Sequence, residues 1–149
     1  MINKEMVKEA LAMYGKAKAT ELRNSANTMS GTEIIEEEVF VPEWKPANYQ
    51  TVGAPVRYEG QVYKVLQVHD STSNPDWTPD TQPALWSVYH TTDPAKAKPW
   101  LEPQGTSGMY YKGECYRADD GIVYRQIYDG GNVYDAAATP DRWETVEVV

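Results

Sequence analysis

Apolar residues at helical spacing occupy the first 29 positions of the chain. Residues 1–29 are rich in Ala, Met, Glu and Lys and contain no proline, which favours a helix, although Gly15 weakens the pattern. A single helix of this kind is marginal in water. We therefore expect it to serve oligomerisation or docking on a larger partner, with packing on its own chain as the alternative. The predicted oligomerisation stripe comprises Val7, Leu11, Tyr14, Leu22 and Met29.

A different pattern of glutamates, turn residues and prolines follows over residues 30–54. The segment carries four glutamates before a short apolar run, residues 39–41, and two prolines beyond it. This composition predicts an extended acidic connector. We expect the connector to lie against a surface, because a free linker would hardly contain Phe40 and Trp44.

Short alternating runs separated by glycine turns replace the helical pattern after residue 54. In residues 55–90 and again in residues 109–149, the order is strand, turn, strand, polar loop and returning strand. Such alternation is typical of antiparallel β-structure. Residues 91–108 between them read as a proline-rich linker. The predicted fold is mainly β: two small antiparallel β modules in tandem behind an N-terminal α-helix.

The two predicted modules share an order of glycine, tyrosine, proline and tryptophan. Each has Gly-x-x-Tyr in a hairpin and Pro-x-x-Trp after a polar loop, and the loop is shorter in the second module. Surface loops tolerate such changes of length. The repeat therefore predicts two units built on one plan. Its positions are Gly60, Tyr63, Pro83 and Trp86, then Gly121, Tyr124, Pro140 and Trp143.

The aromatic composition of the chain is more typical of binding surfaces than of a conventional hydrophobic core. The chain has 11 Tyr and 5 Trp but one Phe. Tyr and Trp combine an apolar face with a polar tip, which suits half-exposed sites. The net charge is −8 with scattered Lys and Arg, which argues against nucleic acid as a partner.

The chain shows no pattern of a signal peptide or a membrane span. Its N-terminus is interrupted by charge every few residues, unlike the apolar core of a signal peptide. No run approaches the length that crosses a bilayer. We expect no classical secretion and no membrane partner. Cys115 is the single cysteine, so no internal disulfide is possible.

Candidate catalytic and metal-binding residues are few. His69 and His90 are the two histidines, and with one cysteine they do not make a closed zinc site. His69-Asp70 has no accompanying GxSxG-type serine. The sequence therefore predicts no enzyme, cofactor or metal. An acidic loop departs from the EF-hand spacing and leaves calcium binding open; its residues are Asp70, Asn74, Asp76 and Asp80.

The Tyr-x-Gly-x-x-Tyr hairpin, polar loop, proline and closing tryptophan resemble the chitinase-type carbohydrate-binding module, families five and twelve. The first unit matches closely through Tyr58, Gly60, Tyr63, Pro83 and Trp86. The second matches more loosely. The loop sequence TPDTQPALW also resembles loops in tail and fibre proteins of bacterial viruses and prophages.

The resemblance implies sugar binding by exposed aromatic rings. Family members that bind chitin usually carry aromatics after the second tyrosine, where this chain has Gln67 and Val68 in the first unit but Tyr128 in the second. Trp86 and Trp143 are expected in the cores, as are Tyr63 and Tyr124. The candidate platforms are Trp77, Tyr128 and Trp100, with Gln67, Asp76 and Asn132 as polar partners.

The sequence is compatible with three functions. The first is a non-catalytic virion structural protein of a bacteriophage: a fibre, decoration or tail accessory subunit on the virion surface. It would be made in the host cytoplasm and attached to other virion proteins as a homo-oligomer, with a trimer favoured. It can also adhere to host cell-surface glycans. The second is a free carbohydrate-binding module that targets a polysaccharide, and the third is an enzyme with an unrecognised site. The N-terminal helix favours the first, because an assembly subunit needs such a segment.

Overall fold

The N-terminal helix packs on the chain through its C-terminal half and leaves its N-terminal half exposed. In the structure, a computed structural model that describes residues 3–148, helix α1 spans Lys4–Ser25. Asn3 caps it by accepting a hydrogen bond from the Met6 N–H at 2.9 Å. Val7, Leu11 and Tyr14 are 46, 66 and 54% exposed. Among the described residues, no helix is long and apolar enough to cross a membrane.

Two residues of the predicted oligomerisation stripe belong instead to the chain's own core. Leu22 is buried, and Met29 packs against the same cluster half-buried. The prediction that they lie between chains is therefore wrong, because the body of the molecule covers this end of the stripe. The buried cluster consists of Leu22, Ala26, Ile34, Ile35, Val41, Val62 and Tyr89.

The segment predicted as an extended connector folds into a short helix. Helix α2 spans Gly31–Glu36 and begins with a capping box between Ser30 and Glu33. Ile34 and Ile35 are fully buried. The prediction of an extended segment was wrong here, because the glutamates stay at the surface while the two isoleucines enter the core. The Ser-x-x-Glu capping signal was present in the sequence.

Nine short strands form three sheets in the described part of the chain. The first sheet has the order β2-β3-β5 and the second β6-β7-β8-β9, while β1 and β4 make a separate pair. All pairs are antiparallel except β6 with β7. The strands are β1 Asn48–Tyr49, β2 Pro55–Tyr58, β3 Gln61–Val65, β4 His69–Asp70, β5 Trp86–Val88, β6 Lys98–Pro99, β7 Cys115–Arg117, β8 Val123–Gln126 and β9 Trp143–Val146.

The first and second sheets share one pairing register. In each, the residue two after the hairpin tyrosine pairs with the closing tryptophan, and the tyrosine itself pairs with the residue two after that tryptophan. The pairs are Val65 with Trp86 and Tyr63 with Val88 in the first sheet, and Gln126 with Trp143 and Tyr124 with Thr145 in the second.

The backbone that leads into each hairpin is also alike. The Gly53 N–H donates to the Val65 carbonyl at 2.7 Å, and the Gly113 N–H donates to the Gln126 carbonyl at 2.8 Å. Both glycines have a φ near +90° (88° and 91°), which L-residues with a side chain rarely adopt. A glycine is therefore required at the same point before each sheet.

Residues 91–108 join the two sheets closely. Strand β6 lies in this segment and extends the second sheet, while the Gln61 side chain of the first sheet donates to the Pro99 carbonyl at 2.8 Å. Lys98 of β6 forms an ion pair with Glu38. The predicted linker is thus a structured connection between the sheets.

Candidate functional site

Each large sheet has one aromatic face built from four equivalent positions. These are the hairpin tyrosine, the proline three residues before the closing tryptophan, the tryptophan, and the residue two beyond it. In the first sheet they are Tyr63, Pro83, Trp86 and Val88; in the second they are Tyr124, Pro140, Trp143 and Thr145.

The first face is covered by residues 101–108. Leu101 packs against the core cluster of the first sheet. The Gly108 carbonyl lies 2.8 Å from Nε2 of the buried His90. A cavity of about 50 Å³ remains between the face and its cover, so the face offers little room for a ligand.

The second face is an open depression of about 670 Å³. Trp100, which precedes the covering segment, forms part of its wall together with Tyr116. The carboxylates of Asp119 and Asp135 also line it. The remaining lining residues are Ala118, Tyr124, Ala136, Ala137, Pro140, Trp143 and Thr145.

Tyr116 lies at the centre of the aromatic side chains behind this depression. Its ring is stacked on Tyr124 with centroids 5.4 Å apart, and it meets Trp143 edge to face at 4.9 Å. Its hydroxyl oxygen accepts a hydrogen bond from the Ala136 N–H at 3.0 Å. Burial raises the pKa of Tyr116 above its ordinary value. Such mutual packing fixes the rings in place.

Trp100 is held by contacts on two sides. Its indole stacks on Tyr110 with centroids 5.0 Å apart and an interplanar angle of 11°. The indole N–H donates to a carboxylate oxygen of Glu102 at 3.1 Å. The half-buried indole is therefore a preformed wall of the depression.

The depression has the chemical character that sugar binding requires. Half-buried aromatic rings supply apolar surface for the C–H face of a pyranose, and carboxylates accept hydrogen bonds from its hydroxyls. Ligand sites commonly combine a mainly apolar concave surface with a few polar groups.

The structure places three predicted binding residues of the second half differently. Trp100 lies in the depression. Tyr128 lies outside it, with the Arg142 guanidinium 3.9 Å from the ring centroid. Asn132 is 1% exposed, and its side-chain oxygen accepts from the Tyr134 N–H at 2.9 Å. Its prediction as a surface partner is therefore wrong, because its side chain is occupied within the fold.

The three predicted binding residues of the first half lie apart from both depressions. Gln67 and Asp76 are exposed, and Trp77 is half-buried in the polar loop, where its backbone N–H donates to the Asn74 carbonyl. None of the three lines either face. Their part in binding remains a prediction.

Sequence reasoning missed most of the depression. Tyr124 was expected in the core, and Tyr116, Asp119 and Asp135 were not considered. The repeat could have indicated Tyr124, because Tyr63 occupies the equivalent position on the face of the first sheet. Asp119 and Asp135 reach the depression from two loops whose geometry the residue pattern does not specify.

Two of the three carboxylates in the acidic loop of the first half accept hydrogen bonds within the loop. Asp70 accepts from the Thr72 N–H and hydroxyl, and Asp80 accepts from the Thr78 hydroxyl. Within residues 3–148, no group of three or more His, Cys, Asp or Glu side chains is arranged to hold a metal ion.

One family comparison bears on the chain. Residues 43–87, which include the first sheet except Val88, match carbohydrate-binding module family 5/12. The match covers less than a third of the 149 residues and supports a carbohydrate-binding module in that part. Modules of this family are non-catalytic, which is consistent with a binding role for the matched part. The chain matches no curated protein sequence.

Proposed function

We propose that the protein binds carbohydrate through the open aromatic depression of its second sheet. The observation that carries the proposal is the equivalence of this face to the one in the family-matched region. Both faces use the same four positions, but only the second has room for a ligand, about 670 Å³ against about 50 Å³.

The same equivalence supports reading the second sheet as a second module of the first kind. The shared register and the paired glycines Gly53 and Gly113 favour this tandem arrangement. The family match stops at residue 87. The second unit shares the pattern more loosely than the first.

Substitution of Tyr124 by Ala tests the proposal. The tyrosine is half-buried in the depression, so its loss removes a ring that the sugar would contact. We expect affinity for neutral oligosaccharides such as chitin oligomers to fall about tenfold, as for loss of one good aromatic contact. Isothermal titration calorimetry measures the change, and circular dichroism checks that the variant is folded.

Trp77→Ala tests the alternative platform, since it removes the half-buried tryptophan of the polar loop in the first half. It should leave affinity within twofold of the wild type. Equal losses in both variants would place the site elsewhere, and a loss in Trp77→Ala alone would move it to the polar loop. Absence of binding to every neutral and charged glycan tested would defeat the proposal.

The exposed half of α1 favours a role within a larger assembly. Five large apolar side chains near its N-terminus are 46 to 72% exposed: Met6, Val7, Leu11, Met13 and Tyr14. An apolar face on an exposed helix indicates a partner. We extend the proposal to a homo-oligomeric subunit of a bacterial virus particle, as a fibre, decoration or tail accessory protein. A free carbohydrate-binding module remains the alternative.

Leu11→Glu separates these two possibilities. Leu11 is 66% exposed, so the substitution leaves the fold intact while placing a charge on the apolar face. Ala12→Glu, also exposed, is the control for an added charge. In multi-angle light scattering we expect the wild type and Ala12→Glu to be oligomers, with a trimer favoured, and Leu11→Glu to be a monomer. A monomeric wild type would contradict self-association.

A further inference from the structure

We propose that the depression selects sugars that carry a free ammonium group, such as glucosamine units, over acidic sugars. This inference rests on the proposed carbohydrate function and adds the charge class of the ligand. Asp119 and Asp135 are its two charged lining residues. Among the described residues, no Lys, Arg or His side chain lines it.

The arginines of the second half are held by other groups. Arg117 donates to the Ala97 carbonyl at 3.1 Å, and Arg125 contacts a carboxylate oxygen of Glu144 at 3.3 Å. The Arg142 guanidinium lies over the Tyr128 ring. These contacts leave the negative charge of Asp119 and Asp135 uncompensated by an arginine at the rim.

The two lining carboxylates differ in how they are held. Oδ1 of Asp135 accepts a hydrogen bond from the Ala138 N–H at 3.0 Å, which orients the group. Asp119 is exposed. Each of these carboxylates can accept a hydrogen bond from an ammonium N–H.

The aromatic walls reinforce the preference for a cation. An ammonium group over the face of a Trp or Tyr ring is attracted by the negative charge of that face. Trp100 and Tyr124 supply such rings, and the carboxylate of Glu102 lies beside the Trp100 indole N–H. A uronic acid in the same place would meet carboxylates and no basic side chain.

Three oligosaccharides of equal length test the inference: oligomers of glucosamine, of N-acetylglucosamine and of galacturonic acid. Titration calorimetry at low ionic strength should show the glucosamine oligomer binding about fivefold more tightly than the N-acetylated one, as two exposed ion pairs provide. The galacturonate oligomer should bind most weakly. High salt should remove the advantage of the amine, because exposed charges are screened.

The double variant Asp119→Asn/Asp135→Asn keeps the shape and one acceptor oxygen of each side chain while removing its charge. It should bind the glucosamine and N-acetylglucosamine oligomers equally. Glu9→Gln/Glu36→Gln, which neutralises two exposed acids elsewhere, should retain the fivefold difference and controls for net charge.

The outcomes separate the two proposals. Equal binding of the glucosamine and N-acetylglucosamine oligomers by the wild type would overturn the charge preference and leave carbohydrate binding in place. Loss of the preference in the Glu9→Gln/Glu36→Gln control would also overturn it, since net charge rather than the depression would then be responsible. Failure to bind any of the three would remove both proposals.

Discussion

One pairing register gives a filled aromatic face on the first sheet and an open one on the second. The pairs Tyr63–Val88 and Tyr124–Thr145 occupy corresponding places. Val88 is buried beneath residues 101–108, whereas Thr145 is exposed. The difference shows that the register builds the face, while the path of the neighbouring segment decides whether a ligand can reach it.

The closing tryptophans also differ in their polar contacts. The Trp143 indole N–H donates to the Tyr134 carbonyl at 3.1 Å, which ties the preceding loop to the edge of the depression. The Trp86 indole N–H is buried without a hydrogen-bond acceptor among the described residues. In the first sheet, the buried N–H without a hydrogen bond costs stability. In the second sheet, the equivalent N–H holds the preceding loop in place.

The largest effect is expected from removing either tryptophan. Trp86 and Trp143 are 1 and 5% exposed, and replacing a core tryptophan with alanine typically costs ~3–5 kcal/mol. The loss of stability in Trp86→Ala should lie at the upper end of this range, because residues 101–108 cover the face that carries Trp86. Urea unfolding of both variants measures the loss. Near-normal stability of Trp86→Ala would contradict the description of the first face as packed.

Acidification should loosen the cover of the first face. Burial, with a smaller contribution from the Lys64 charge, lowers the pKa of His90 from 6.5 to about 4. Since the folded protein then binds this proton less readily than the unfolded chain, stability is retained above pH 6.5 and falls between pH 6.5 and 4. His90 alone should lower the free energy of unfolding by about 2 kcal/mol between pH 7 and 5.

His90→Gln isolates this contribution, because glutamine keeps an N–H donor for the Gly108 carbonyl but does not titrate. Burial raises the pKa of nearby Glu114, which favours the folded state as the pH falls and partly offsets His90 in the wild type. Denaturant unfolding at pH 7 and 5 should show a steeper loss in the wild type than in the variant. Parallel losses would assign the pH dependence to other groups.

The strands, turns and buried tryptophans were predicted better from the sequence than the segments that pack against them. A hairpin was expected at Gly60, and both Glu59 and Gly60 have a left-handed φ, 47° and 79°, as a two-residue turn requires. Trp86 and Trp143 were expected to be buried, and they are. These features depend on local spacing and on the size of one side chain, which the residue pattern contains.

Features that depend on distant segments were missed. Residues 101–108 contain proline, glycine and polar residues that indicate a linker, and nothing in their order shows that Leu101 packs on the first sheet. The stripe on α1 was identified, but its division between the exposed Leu11 and the buried Leu22 depends on where the body of the molecule ends. Such outcomes follow from tertiary contacts, which no single segment specifies.

The smallest expected effect comes from a methyl group added beneath the cover. Gly108 has a φ of +81°, and a Cβ there would lie 3.2 Å from Cγ1 of Val88. Gly60 has a φ of +79° with no atom within 4 Å of the same position. Gly108→Ala and Gly60→Ala therefore carry the same backbone strain, and only the first also crowds the covered face.

We expect Gly108→Ala to lose about 1 kcal/mol more in free energy of unfolding than Gly60→Ala, the lower end of the cost of overpacking. Equal losses in urea unfolding would mean that the cover shifts without resistance. The first face would then be closed by a loosely held segment, and its difference from the open second face would be one of degree.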